Sequence, residues 1–192
     1  MLDQLMNLVR QQAGDAVINN PAIPNEYNEA VVEETTYAVA GGLQQALSGG
    51  QIKDVLSLFS GNGAAADGNP VSQMISGGLL QNLVGKFGID QQQAGSVVSS
   101  LVPGILQSLV QRTNDPADSS FDLQGIFNSL SGGRTSGFDV QGLVSRFAQG
   151  GLDRDGDGDT DLQDVMAMFS GGGNQGGGGG ILDSLSGLLG GR

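Results

Sequence analysis

Neither cysteine nor histidine occurs in the 192 residues. Without cysteine there are no disulfides and no thiolate nucleophiles, and without histidine the common zinc sites and every imidazole-based acid–base or triad mechanism are removed. The redox compartment is left open. Tryptophan is also missing, and only two Tyr and seven Phe are present, so a core has to be built from Leu, Val, Ile, Ala and Met. Basic residues are few: 8 Lys and Arg stand against 20 Asp and Glu, for a net charge of −12. A phosphate backbone or an anionic bilayer surface needs a basic face, which argues against nucleic acid and membrane surfaces as partners. No run of eighteen apolar residues, about the length needed to span a bilayer, occurs in the sequence. The start, MLDQLMNLVRQQAG, carries an acid at Asp3 and an amphipathic pattern, unlike a secretory signal. A cytoplasmic location is therefore expected, with a signal-less export route still open. G-x-S-x-G and P-loop motifs are absent too.

What is abundant is glycine, 34 residues, much of it near the C-terminus. Around it, apolar residues recur at helical spacing, which predicts an all-α protein. Helices are expected over 2–12, from about Glu26 to Leu47, over 51–59, over 71–87 with an interruption at Gly77-Gly78, and over 91–112 with Asp90 as N-cap. Pro103 is expected to kink the last of these. The stretch 19–25 holds two prolines and three asparagines and reads as a stiff connection.

The chain repeats itself at two scales. Setting Gly42 on Gly104 superposes the two long helices, with Val39 on Leu101, Leu43 on Ile105 and Leu47 on Leu109. A shorter unit recurs four times: QIKDVLSLFSG (51–61), DLQGIFNSLSG (122–132), DVQGLVSRFAQG (139–150) and DLQDVMAMFSG (161–171). Asp122, Asp139 and Asp161 stand where an N-cap would. Helices this short hold their shape only by packing an apolar face. The expected architecture is thus an orthogonal bundle of two long repeated helices with several short, glycine-capped ones. It divides into a helical domain over 1–150, with pseudo-repeats at about 26–61 and 90–132, a loop and exit helix over 151–170, a glycine linker over 171–180 and a short amphipathic tail over 181–192.

The residues Asp153–Asp164, DRDGDGDTDLQD, form the one segment with explicit chemistry. An EF-hand loop supplies oxygen ligands from positions 1, 3, 5, 7, 9 and 12 and turns sharply at a glycine in position 6. Asp153, Asp155 and Asp157 fill the first three, Gly158 the sixth, Asp159 would give its carbonyl at the seventh, Asp161 acts at the ninth and Asp164 at the twelfth. Six carboxylates so close repel one another, and a hard cation, Ca²⁺ or else Mg²⁺, relieves that repulsion. Aspartate rather than glutamate at the twelfth position is similar to dockerin loops. Dockerins, however, carry two loops and a Ser/Thr pair where this chain has Leu162-Gln163, so no cohesin partner is implied.

The segment KFGIDQQQAGSVVSSLVPGILQSL (86–109), followed by FDLQGIFNSLSGG, resembles the YidB-like bacterial family, whose function is unknown. The piece AIPNEYNEAVVEE (22–34) is similar to the N-terminal region of Bacteroidetes-type members, with Tyr27 in place of a histidine. That resemblance implies an all-α fold and a bacterial source, and brings no activity or catalytic residues. The expected function is therefore a non-enzymatic, calcium-binding structural or assembly protein, associating with itself or a protein partner through apolar helix faces. Two alternatives are a calcium-responsive switch, suggested by Met166 and Met168 beside the loop, and, further off, a carboxylate-based hydrolase. The tail residues Ile181, Leu182, Leu185, Leu188 and Leu189 are spaced to share one side of a docking helix.

Overall fold

The computed structural model describes residues 2–21, 23–60, 68–115, 117–118, 121–133 and 139–148, and every regular element in them is helical. The α-helices are α1 (Leu2–Ala13), α2 (Asn28–Ser48), α3 (Ile52–Phe59), α4 (Pro70–Phe87), α5 (Gln91–Asn114), α6 (Leu123–Leu130) and α7 (Val140–Ala148). A π-helical turn, Gly14–Ile18, extends α1, and a 3₁₀ turn, Asn25–Tyr27, leads into α2. The all-α expectation is met. The calcium loop, the linker and the tail lie outside the described residues.

Four helices, not two, make the body. Each of α1, α2, α4 and α5 packs on the next, and α5 returns to α1, closing a ring around an aliphatic core. Val39, Leu43, Leu79, Leu83, Leu101 and Ile105 are all buried there. The short helices α3, α6 and α7 pack together beside this ring, with Phe59 of α3 set edge-on to Phe127 of α6 at 5.6 Å between ring centres. Such an edge-on pair adds to simple burial because the positive ring edge meets the negative face.

Two expectations about helix continuity need correcting or refining. The expected interruption at Gly77-Gly78 does not occur: α4 is continuous from Pro70 to Phe87. A mid-helix glycine costs roughly 1 kcal/mol relative to alanine. Val71, Ile75, Leu79 and Leu83 form one buried stripe that spans the glycine pair, and that burial outweighs the cost. Helix α5 likewise continues through Pro103, flanked by buried Leu101, Val102, Ile105 and Leu106. The boundaries are otherwise close to the sequence reading. Asn69 starts α4 by accepting from the Val71 amide at 2.8 Å while its own amide donates to the Asp54 carbonyl at 2.8 Å, tying α3 to α4. Gly88 ends α4 in the left-handed region at φ 64°, which favours glycine.

At each of the two superposed glycines a side chain of another helix comes close. A side chain at Gly42 of α2 would run into the Ile75 side chain of α4, and one at Gly104 of α5 would meet the Gln12 side chain of α1 at 3.4 Å. Beside the second contact, Gln12 donates to Ser108 Oγ at 2.9 Å. The repeated long helices thus each meet a side chain of a neighbouring helix at the same point of the repeat.

Polar bonds bind the outer edges of the ring. Glu34 of α2 accepts from Asn82 at 2.7 Å and from Lys86 at 2.8 Å, both on α4. Arg10 of α1 donates to Glu29 of α2 at 2.6 Å. That hydrogen bond, reinforced by the charge attraction, holds the Glu29 carboxyl below its ordinary range and the guanidinium above its own. Because the folded carboxyl is depressed, the pair's contribution is present above the free glutamate value and fades as pH falls through the folded one. Both groups are solvent-exposed, so the contribution is small.

Gly42→Val should lower stability by about 1–3 kcal/mol, since Ile75 is buried and cannot withdraw. Its neighbour Gly41 has open space around an added Cβ, so Gly41→Ala should raise stability by about 0.5–1 kcal/mol through helix propensity. Urea denaturation of the two variants checks both signs.

Candidate functional site

Asp153, Asp155, Asp157, Asp159, Asp161 and Asp164, the candidate metal ligands, all lie outside the described residues. Among the described residues no group of three or more Asp or Glu side chains is close enough to hold a metal ion. What the structure does describe is the capping device of two other copies of the short unit.

Asp122 precedes α6 and accepts from the Gly125 amide at 2.7 Å; Asp139 precedes α7 and accepts from the Gly142 amide at 2.8 Å. Each carboxylate satisfies one of the amides that a helix start leaves without a partner, three residues into the unit. The glycine at that third position has a purpose. A Cβ at Gly125 would lie 3.1 Å from the Asp122 carboxylate, and one at Gly142 would collide with the carboxylate of Asp139. The first copy differs: α3 follows Gln51, whose side chain makes no cap, and its third position is Asp54. The expected N-caps at Asp122 and Asp139 are therefore found, while Asp161 falls outside the described residues.

The other carboxylates mostly have structural partners. Asp90 caps α5 by accepting from the Gln92 amide at 2.9 Å. Asp115 accepts from the Ala117 amide at 2.9 Å, and Asp15 from Asn19 at 3.2 Å. Asp118 lies 3.7 Å from Arg112, whose guanidinium also covers the Phe121 ring and donates to Gln11 at 2.7 Å. These jobs were readable in the sequence only where the acid opens a helical pattern, as Asp90, Asp122 and Asp139 do. The long-range ones, Glu34 to Asn82 and Lys86 above all, carry no sequence signal.

A small recess between α1, α2, α5 and α6 is lined by Leu5, Leu43, Leu109, Phe121, Ile126 and Leu130. With no polar side chain in its wall it has nothing to orient a polar ligand. Helix α5 has the length and composition of a membrane span, but half of that stretch is buried among the other helices. Its outer side carries Gln92, Gln93, Ser96, Ser99, Ser100, Gln107 and Gln111, which hydrocarbon would not accept. It is a core helix. No protein family, curated protein or solved structure matches the chain.

Removing either cap should be felt. Asp122→Ala and Asp139→Ala should each cost about 0.5–2 kcal/mol. Restoring a capping oxygen with Asp→Asn should recover most of it, and thermal denaturation of the four variants reads the difference.

Proposed function

We propose that the chain is a non-enzymatic, calcium-binding helical protein with a structural or assembly role, in which the cation orders the loop 153–164 and the start of the helix after it. The observation that carries this reading is the alternation of aspartates at Asp153, Asp155 and Asp157, followed by Gly158 at the turn and Asp159, Asp161 and Asp164 at the later ligand positions. An affinity with the YidB-like bacterial proteins rests on the segments 22–34 and 86–109 and is part of the same proposal.

The short helices add a physical argument. In α6 and α7 the opening aspartate caps a third residue that is glycine. In the fourth copy, DLQD, that third residue is Asp164. Asp161 then has two roles in this reading, as a ligand of the loop and as the cap of the helix after it. Asp164 at the same time adds a carboxylate near a helix start, where the helix dipole favours negative charge. Where α6 and α7 carry glycine at that position, the fourth copy carries a second carboxylate next to the loop ligands. The capping and pairing roles of the acids elsewhere also favour a binding protein over a carboxylate hydrolase.

Calorimetry should detect one saturable Ca²⁺ site per chain, and a calcium concentration a hundredfold above the dissociation constant should stabilise the fold by about 2.7 kcal/mol if the site is coupled to folding of the whole. Asp157→Ala should abolish uptake and leave the helical circular dichroism of the body unchanged in chelator. A titration without a saturable site into the millimolar range would sink the reading. Hydrophobic-dye binding that rises with calcium would instead favour the switch.

A further inference from the structure

Between residues 68 and 111 the chain carries only two charged side chains, Lys86 and Asp90, although it has 28 in all. Both are engaged within the fold: Lys86 binds Glu34 at 2.8 Å and Asp90 caps α5. This segment is the α4–α5 hairpin. The tight turn at Gly88–Asp90 makes the two helices antiparallel neighbours, so residues counted outward from it come roughly abreast. By that count Val84 comes level with Gln92 and Leu80 with Ser96. Gln73, Val84, Gln92, Ser96 and Gln107 are exposed or nearly so, and Val84 is one of only four large hydrophobic residues exposed among those described.

We propose that this uncharged α4–α5 face is where a second copy of the chain docks. Two copies each carrying −12 repel, so a lasting contact has to keep the acids apart, and this hairpin is the longest nearly uncharged stretch among the described residues. Its groups are also self-complementary. A glutamine amide or serine hydroxyl both donates and accepts, so a patch rich in them can pair with its own two-fold image without stripping water from a charge. A nucleic acid or an anionic bilayer would need basic residues that the face lacks.

The size is adequate. At 1.5 Å per residue α4 is about 27 Å long and α5 about 36 Å. With helix axes about 10 Å apart, the pair offers on the order of 600–700 Å² per copy, near the roughly 800 Å² per partner of a standard interface. The large apolar stripes of α2, α4 and α5 are already used inside the ring, so association relies on this polar, uncharged surface and Val84 rather than on a free apolar helix face. The proposal deepens the assembly half of the reading above and is independent of its metal.

The test is the solution mass of the full chain by light scattering and sedimentation, in chelator and in calcium. The wild type should have twice the chain mass in both. Its dissociation constant should tighten as salt rises, because screening weakens the repulsion and no attractive charge pair is lost. The double variant Gln73→Glu with Ser96→Glu places four acids in a symmetric dimer interface and should halve the mass, with circular dichroism and melting unchanged. The control Gln44→Glu, on the outer side of α2, should remain dimeric. Mixing the acidic double variant with its counterpart Gln73→Lys plus Ser96→Lys should restore the dimer. A wild type that is monomeric up to millimolar concentration, or a dimer indifferent to the acidic variant, overturns the proposal. A dimer in chelator without calcium uptake would retain it while removing the metal reading, and calcium uptake by a monomer would do the reverse.

Discussion

Everything in the helical body depends on how closely its backbones can approach. A chain with no tryptophan and few phenylalanines fills its interior with Leu, Val, Ile and Ala, and such side chains leave no voids only when the helix axes are near. Gly42 lies against Ile75 where α2 meets α4 and leaves no room for a Cβ, while Gly104 of α5 lies in ordinary contact range of the Gln12 side chain of α1. With those two contacts in place, the buried stripes of the four longer helices face one another and the ring closes. The cost of glycine inside a helix is offset by the packing it permits, but only where another helix approaches.

The same economy governs the acids. A protein with 20 carboxylates and 8 basic groups cannot neutralise its charge by ion pairs, and those among the described residues engage only Glu29, Glu34 and Asp118. Aspartates are placed at helix starts, where the free amides of the first turn accept them, and Glu34 and Glu29 join neighbouring helices at the surface. Their role is to define where helices begin and which helix stands beside which.

Helix existence and type were legible because the apolar stripes are long and regular. Asp90, Asp122 and Asp139 were legible as caps because an acid followed by apolar residues at helical spacing has few other meanings. The repeat was legible as well, yet its consequence was not. Superposing Gly42 on Gly104 aligned two long helices, but nothing in the sequence said that Gly42 would face Ile75 of α4 or Gly104 would face Gln12 of α1. The Gly77-Gly78 reading failed for a related reason. Local propensity speaks against a helix there, and only the tertiary burial of Ile75 and Leu79 on either side decides the matter. The part of the candidate site that could be compared is its capping logic, in α6 and α7. The metal ligands themselves fall outside the described residues.

The distribution of charge along the chain ties the two proposals together without merging them. Six of the twenty acids fall within 153–164, while 68–111 holds one. Uniform spreading would have put acids on every face and made any homotypic contact expensive. The uneven spacing instead gathers six of them where, on the proposed reading, a divalent cation would offset part of their mutual repulsion, and leaves one long stretch nearly free of charge where, as proposed, like-charged copies would meet. A surface of that kind selects partners by what it lacks. A basic protein would gain nothing there, and a nucleic acid or an anionic lipid would find no counter-charge, so the chemistry favours a partner that is neutral at the contact and acidic elsewhere. The chain itself meets that description.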